Sequence, residues 1–409
     1  MARYSLLSQL ALRSIFRNTR RTILTILLIA SCLAALMFTD AMVRGYMKSM
    51  VSITTSTFLG EAQLHHAQYR KNNDVDKYMT DVERIESTLA ASPKVQYVSP
   101  RVIASGMVSS SENVSAGAVY GIDGEKEAQV SKIAQAIVEG EYLSGKPQEL
   151  IMGKELADIL QVSLGDRIVV TISQANGGEL SQELFRLSGV FSFNDRLMDS
   201  GLLFINIDKA KQLVNIDGVH EIALQLNDKA IVDQQDDPFW HQFDDKDIEF
   251  LGWKALFPQI SSMVDMSGFS TLIVSIIMYI LIALGLINTM FMSIYERHYE
   301  FGILLAIGTR KSQLFWQIIK EGFYIGLLSI AAGLILGYAL SYWGSIHGIT
   351  LGESMEISGV TLNEPIKLIM SHLTFVELAL GILTVTIVAC LYPAIHASKL
   401  QPSIAMRKT

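Results

Sequence analysis

Four apolar runs limit what this chain can fold into more than any other feature. Thr22 to Val43, Phe269 to Ile294, Phe315 to Trp343 and Phe375 to Ile395 each approach the roughly 20 residues a helix needs to cross the hydrocarbon of a bilayer. A chain of 409 residues would otherwise suggest two or three soluble domains, but half of it is hydrophobic, which puts it in the membrane class. Lys320 and Glu321, early in the third run, set the start of that helix at the cytoplasmic surface. The expectation is an α-helical membrane protein with four transmembrane helices, at 22–43, 268–294, 315–343 and 374–396.

Sidedness follows from the basic residues, because Lys and Arg in short flanking segments stay in the cytoplasm. Arg3, Arg13, Arg17, Arg20 and Arg21 precede the first run with no acid among them. The loop 295–314 adds Arg297, Arg310 and Lys311, and the tail 397–409 adds Lys399, Arg407 and Lys408. Both termini and that loop are therefore expected inside. The segment 44–267 holds 20 Lys or Arg against 32 Asp or Glu, a balance of −12, and is expected outside. So is the shorter polar loop 344–373. An acidic outer face excludes nucleic acid as a partner. Cys32 and Cys390 both fall inside predicted spans, which leaves the outer segment no disulfide to rely on.

A basic leader before the first run also fits a signal peptide, and Ile29-Ala30-Ser31-Cys32 has the look of a lipoprotein cleavage box. Leu33 to Phe38 continue apolar where a lipoprotein would turn polar, so an uncleaved anchor is the better reading. Within 1–21, Leu7, Leu10, Ala11 and Ile15 share one helical side while Arg13, Arg17 and Arg20 share another. That is the pattern of a helix in the membrane interface, with Arg21 at its end; it is equally the basic flank of a span.

The outer segment mixes periodicities. Met79, Val82, Ile85 and Leu89 recur at helical spacing until Pro93, whereas Val95 to Val108 and Ala116 to Ile122 are rich in β-branched residues. Further strands are expected at Glu149 to Met152, Arg167 to Ile172, Leu202 to Ile207 and Val219 to Leu226, with helices at Lys154 to Gln161 and Asp208 to Val214. Asn176-Gly177 between Val169 to Ser173 and Glu183 to Phe193 marks a hairpin. The result is a large α+β domain inserted between the first and second helices. Asp233 to Asp247 reads as a solvated connection.

Between the second and third runs, Ile294 to Gly308 is charged at its start, small at its end and apolar between. Glu296, Arg297 and Glu300 can make charge-assisted bonds to a partner. Gly302, Ala306 and Gly308 permit close approach or a sharp turn, and the run Phe301 to Ile307 requires burial. These residues form a docking handle. No G-x-x-x-x-G-K-[ST] occurs, so any ATP that drives the chain is bound by another subunit. His65 and His66, and His241 beside Asp244 and Asp245, read as surface residues because no spacing matches a metal site. No set of nucleophile, base and orienting group suggests a catalytic site. Gly333-Leu-Ile-Leu-Gly337 is a G-x-x-x-G pair suited to helix packing, within one subunit or across a dimer seam.

The run Tyr295-Glu-Arg-His-Tyr-Glu-Phe-Gly-Ile-Leu-Leu-Ala-Ile-Gly308 resembles the E-R-x-x-E-[FI]-G-[IL]-x-x-A-[IM]-G signature of permeases in the FtsX/MacB superfamily of ABC transporters. The four-span layout and the ending Tyr392-Pro-Ala-Ile-His-Ala397, followed by Gln401-Pro402, are similar to that family too. Leu150 to Ala157 followed by Val162-Ser-Leu-Gly-Asp-Arg167, and Phe185-Arg-Leu-Ser-Gly-Val-Phe191, resemble blocks of the lipoprotein-releasing LolC/LolE type. A glycine expected just after the second block is replaced by Ser192-Phe193-Asn194.

The resemblance implies a MacB-like periplasmic domain in a multi-pass protein of the bacterial inner membrane. It assigns Glu296, Arg297, Glu300, Phe301, Gly302, Ala306, Ile307 and Gly308 to a coupling helix and its exit, seated on a cytoplasmic ABC ATPase dimer that binds ATP and Mg. A second permease, identical or homologous, and a periplasmic carrier or adaptor complete the expected assembly. The implied activity is extraction of lipoproteins by mechanotransmission. A MacB-like exporter driving periplasmic cargo through an outer-membrane tunnel, and an FtsX-like signalling subunit controlling a cell-wall hydrolase, are the other readings.

Overall fold

The computed structural model describes residues 18–400 except 176, 235, 244–246, 350–355, 358–359 and 362–364. Arg13, Arg17, Asn176, Asp244, Asp245, residues 401–409 and about a third of the small polar loop therefore lie outside the described residues. The chain divides into two compact units, one holding most of the length of the long apolar helices and one holding 49–263.

The first long helix, α1, runs from Thr19 to Thr54 and continues into a π-wound turn, Thr55–Leu59. The inserted domain then alternates strands β1 (Ala62–His66), β2 (Val95–Ser109), β3 (Val114–Ile122), β4 (Ile137–Gly140), β5 (Glu149–Gly153), β6 (Arg167–Ser173), β7 (Leu180–Phe191), β8 (Leu202–Asn206), β9 (Glu221–Leu226) and β10 (Ile248–Gly252) with helices α2 (Val82–Ala90), α3 (Gly124–Val130), α4 (Lys154–Leu160) and α5 (Ile207–Val214). The strands lie in the order β10-β1-β9-β2-β3-β8-β5-β7-β4, and β6 pairs with both β2 and β7. Following β2, β3, β8, β5, β7 and β6 back to β2 closes a ring of pairings. Only β3 with β8 and β5 with β7 run parallel.

Local chemistry explains these elements. In β6, Ile168, Val170 and Ile172 are buried while their neighbours face out, the period of two that a half-covered strand requires. Leu150, Ile151 and Met152 of β5 are all buried, because that strand has a neighbour on each edge and cover on each face. Gly106 lets β2 touch β6, since a Cβ there would collide with the Thr171 carbonyl. Asp123 and Asn206 cap α3 and α5 by accepting from the second and third backbone N–H groups of their own helices.

Two expectations about this domain are corrected. His65 is buried on β1 because Tyr69 covers its ring, with centroids 5.8 Å apart, and Gln63 Oε1 lies 2.8 Å from its Nε2. Within Asp233 to Asp247, Pro238–His241 forms a 3₁₀ turn that buries Phe239 edge-on to Phe250, at 4.9 Å between centroids. Proline starts that turn, and the aromatic contact fastens it.

The other unit contains α1 up to Lys48 together with α6 (Pro258–Glu296) from Val264 onward, the short α7 (His298–Ala306), α8 (Lys311–His347) and α9 (His372–Ser398), while the end of α1 belongs to the inserted-domain unit. Four of these are long and apolar enough to cross a membrane. At 39 residues, α6 reaches about 58 Å and overshoots a hydrocarbon core of about 30 Å. Its exposed side is apolar too, with Phe269, Leu272, Ile276 and Ile280 uncovered, as on a helix solvated by lipid.

Glycines set how these helices meet. A Cβ at Gly333 would sit 2.9 Å from Leu33 Cβ, and one at Gly337 would sit 2.6 Å from Met37 Sδ. The G-x-x-x-G pair is thus filled by α1 of the same chain. Gly322 and Gly326 give the same clearance to Cys390 and Thr386 on α9. Helix α8 starts four residues before the expected span, at Lys311, and Glu321 is buried on it against neighbouring helices.

Candidate functional site: the elbow between the second and third long helices

Helix α6 stops at Arg297, whose φ of −106° and ψ of 14° leave the helical region and turn the chain into α7. The join keeps its backbone bonds, because Arg297 N–H donates to the Ser293 carbonyl and Phe301 N–H to the Arg297 carbonyl. Helix α7 ends at Ala306. Its last carbonyls are closed by Gly308 N–H on Leu305 and Thr309 N–H on Leu304, a turn that puts Gly308 at φ +99°. Only glycine takes that conformation without strain. The Gln313 side chain then accepts from Arg310 N–H at 3.0 Å and starts α8.

Two adjacent charges at the bend are tied to different long helices. Glu296 Oε2 accepts from Arg21 Nη1 at 2.8 Å and from Asn18 Nδ2 at 3.0 Å, both at the start of α1. Arg297 Nη1 donates to Glu321 Oε2 of α8 at 3.1 Å, and its Nε reaches Glu300 at 3.4 Å. The guanidinium also lies 4.9 Å from the centre of the buried Phe301 ring, within cation–π range. Arg297 therefore faces inward rather than water, the side expected from its charge.

The remaining residues of the handle divide by exposure. Phe301 and Gly302 are buried, Glu300 is half-buried, and Ala306, Ile307 and Gly308 are exposed. Ile307, at 79% exposure, joins Tyr295, Tyr299 and Trp316 among large apolar side chains left uncovered around the bend. Charged residues hold the elbow to its own helices, and large apolar ones are left uncovered. Of the interface arginines, Arg20 is exposed and Arg21 is taken by Glu296.

Sequence reasoning used Glu321 only to set the side of the membrane and missed its pairing with Arg297. Its one signal was an acid inside an apolar run, which in a membrane helix calls for a partner.

A bundle of four membrane-length helices, an α+β domain inserted between the first and second, and a two-armed elbow between the second and third define a permease-type membrane subunit. Residues 22–237 match the MacB-like periplasmic core domain, and residues 272–402 match the FtsX-like permease C-terminal region. The chain belongs to the FtsX/MacB family of ABC transporter permeases, a family that works with a cytoplasmic ABC ATPase. It is 25% identical over 350 residues to the lipoprotein-releasing system transmembrane protein LolC of Xylella fastidiosa, covering 80% of this chain and 82% of that one. To LolE of Haemophilus influenzae it is 21% identical over 332 residues, covering 78% and 79%. To the macrolide export ATP-binding/permease protein MacB of Syntrophobacter fumaroxidans it is 32% identical over 137 residues, covering 33% and 17%.

Proposed function

We propose that this chain is the permease of an ATP-driven machine that extracts lipoproteins from the inner membrane and hands them to a periplasmic carrier. The observation that carries the mechanical part is the divided anchoring of Glu296 and Arg297. Neighbouring residues bonded to α1 and to α8 make any push on the elbow a push on two spans at once. The elbow faces the cytoplasm with both termini, and the exposed Tyr295, Tyr299 and Ile307 seat in a groove of the ATPase dimer. ATP and Mg are bound there. ATP binding draws the two ATPases together, and the spans act as levers on the inserted domain. Because the ATPases act as a dimer, a second permease, identical or homologous, completes the complex.

Lipoprotein cargo is supported by the extent of the likeness to LolC and LolE, which runs through most of each chain. A MacB-like exporter, working with an adaptor and an outer-membrane tunnel, is favoured by the higher identity to MacB over a shorter stretch. Gentle purification of the complex from membranes separates the two. Acylated proteins co-eluting with the chain and an ATPase support release; an adaptor without acylated proteins supports export. A chain that purifies with no ATPase sinks both.

A further inference from the structure

On the reading that the chain transmits an ATPase stroke, we infer that Arg101 is the positioning residue that fastens the end of α1 to the sheet of the inserted domain. The last turn of α1, Thr55–Leu59, is π-wound and closes with Gly60 N–H on the Thr55 carbonyl at 2.8 Å, where Gly60 turns the chain away at φ +82°. A helix that stops there leaves its final carbonyls without partners of its own. The inserted domain takes three in succession. Lys132 N–H donates to Thr57 O at 3.1 Å, Arg101 Nη2 to Phe58 O at 2.5 Å, and Gln63 Nε2 to Leu59 O at 2.6 Å.

Arg101 is the hub of this attachment. It sits on β2 at the residue that pairs with Glu221 of β9 on one side and Ile122 of β3 on the other, where the strand changes partners. Its Nε and Nη2 donate to Glu127 of α3 at 2.9 and 2.6 Å, and its Nη1 donates to Glu221 at 2.5 Å. Glu127 also accepts from Ser99 Oγ at 2.7 Å. The guanidinium carbon lies 4.2 Å from the centre of the Phe58 ring. Arg101 and Glu127 have no exposed surface. One cation thus joins the helix end, α3 and β9.

Stability alone does not account for this arrangement. Stripping water from a guanidinium and two carboxylates is costly, and well-packed apolar groups of similar volume often hold a core as well or better. What the charged group adds is direction. Phe58 O is held at one position relative to β2, so a shift of the last turn of α1 is delivered to the sheet rather than absorbed in a loop. The π turn supports this, since such turns sit where helices serve function.

The test is hydrogen exchange on the intact permease, co-expressed and purified with its ATPase, with and without ATP plus vanadate. In the wild type, trapping changes exchange at 55–62 and at 99–103 together. In Arg101→Lys, which keeps a buried cation but cannot reach all three partners, vanadate still traps ADP. The nucleotide-dependent change at 99–103 then falls at least five-fold while that at 55–62 persists. A merely structural residue would raise exchange equally in both states. A variant whose inserted domain responds to nucleotide as the wild type does overturns the inference. Should Arg101→Lys fail to fold, the wild type decides: a response at 55–62 with none at 99–103 also overturns it. A wild-type chain that forms no complex with an ATPase overturns the reading beneath, and this inference with it.

Discussion

Arg297 and Glu321 are 24 residues apart in the chain and 3.1 Å apart in space, with side chains 13% and 6% exposed. Truncating one partner strands a mostly buried charge, a loss of about 3–5 kcal/mol by comparison with other buried pairs. Arg297→Ala and Glu321→Ala are each expected to lower the thermal midpoint of the detergent-purified protein. The exchanged pair R297E/E321R should recover part of the loss. A double-mutant cycle with no coupling between the two positions would show that the pair does not hold the elbow.

The handle itself is tested by changes that leave this pair in place. Glu300→Lys reverses a half-buried charge beside Arg297, and Gly302→Trp forces a large side chain into a buried position. Both are expected to reduce ATPase stimulation at least ten-fold in proteoliposomes without reducing membrane insertion. Unchanged stimulation in both variants would remove the docking role.

Gly337 meets Met37 and Ala34 of the same chain. Gly337→Leu should therefore weaken the seam between α1 and α8 by about 1–3 kcal/mol, the usual cost of overpacking. A cysteine pair at Ala34 and Gly337, in a background lacking Cys32 and Cys390, is expected to close within one chain. Dimers on a non-reducing gel would instead place this glycine pair at a seam between subunits.

Burial, with Arg70 and Arg101 nearby, pushes the His65 imidazole down to about 3, and burial also lowers His220. A histidine that stays neutral in the fold but protonates in the unfolded chain makes stability fall with pH between about 6.5 and 3. Glu221, pushed up by burial against the pull of Arg101, has the opposite sign and blunts the effect. From pH 7 to pH 5, His65 alone contributes a loss on the order of 2 kcal/mol. Native-state hydrogen exchange of β1 and β9 peptides, corrected for intrinsic rates, should show that slope in the wild type and a shallower one in His65→Gln. Equal slopes would mean that His65 is charged or solvated in the fold.

The long helices were legible because an apolar run of span length has few other solutions, and strands such as β6 because alternation survives in short windows. The Glu183 to Phe193 arm of the hairpin was readable from the Asn176-Gly177 turn signal, and as part of β7 it pairs antiparallel with β6. Arg101, Glu127 and Glu221 were not legible, since nothing local distinguishes a buried charge from a solvated one. Their burial is decided by β2 and β9 pairing across more than a hundred residues. His65 was misread for that reason. At the elbow, the motif marked the segment, but the inward turn of Arg297 depends on Glu321, which lies beyond α7 and almost three turns into α8.

The account stands or falls on force entering at the elbow from the cytoplasmic side. A photo-crosslinking residue at Ile307, exposed at the tip of the bend, measures this directly in whole cells. The expected product is one adduct between this chain and an ABC ATPase, stronger when ATP hydrolysis is blocked. An adduct only with periplasmic proteins, or none with any ATPase, would contradict it.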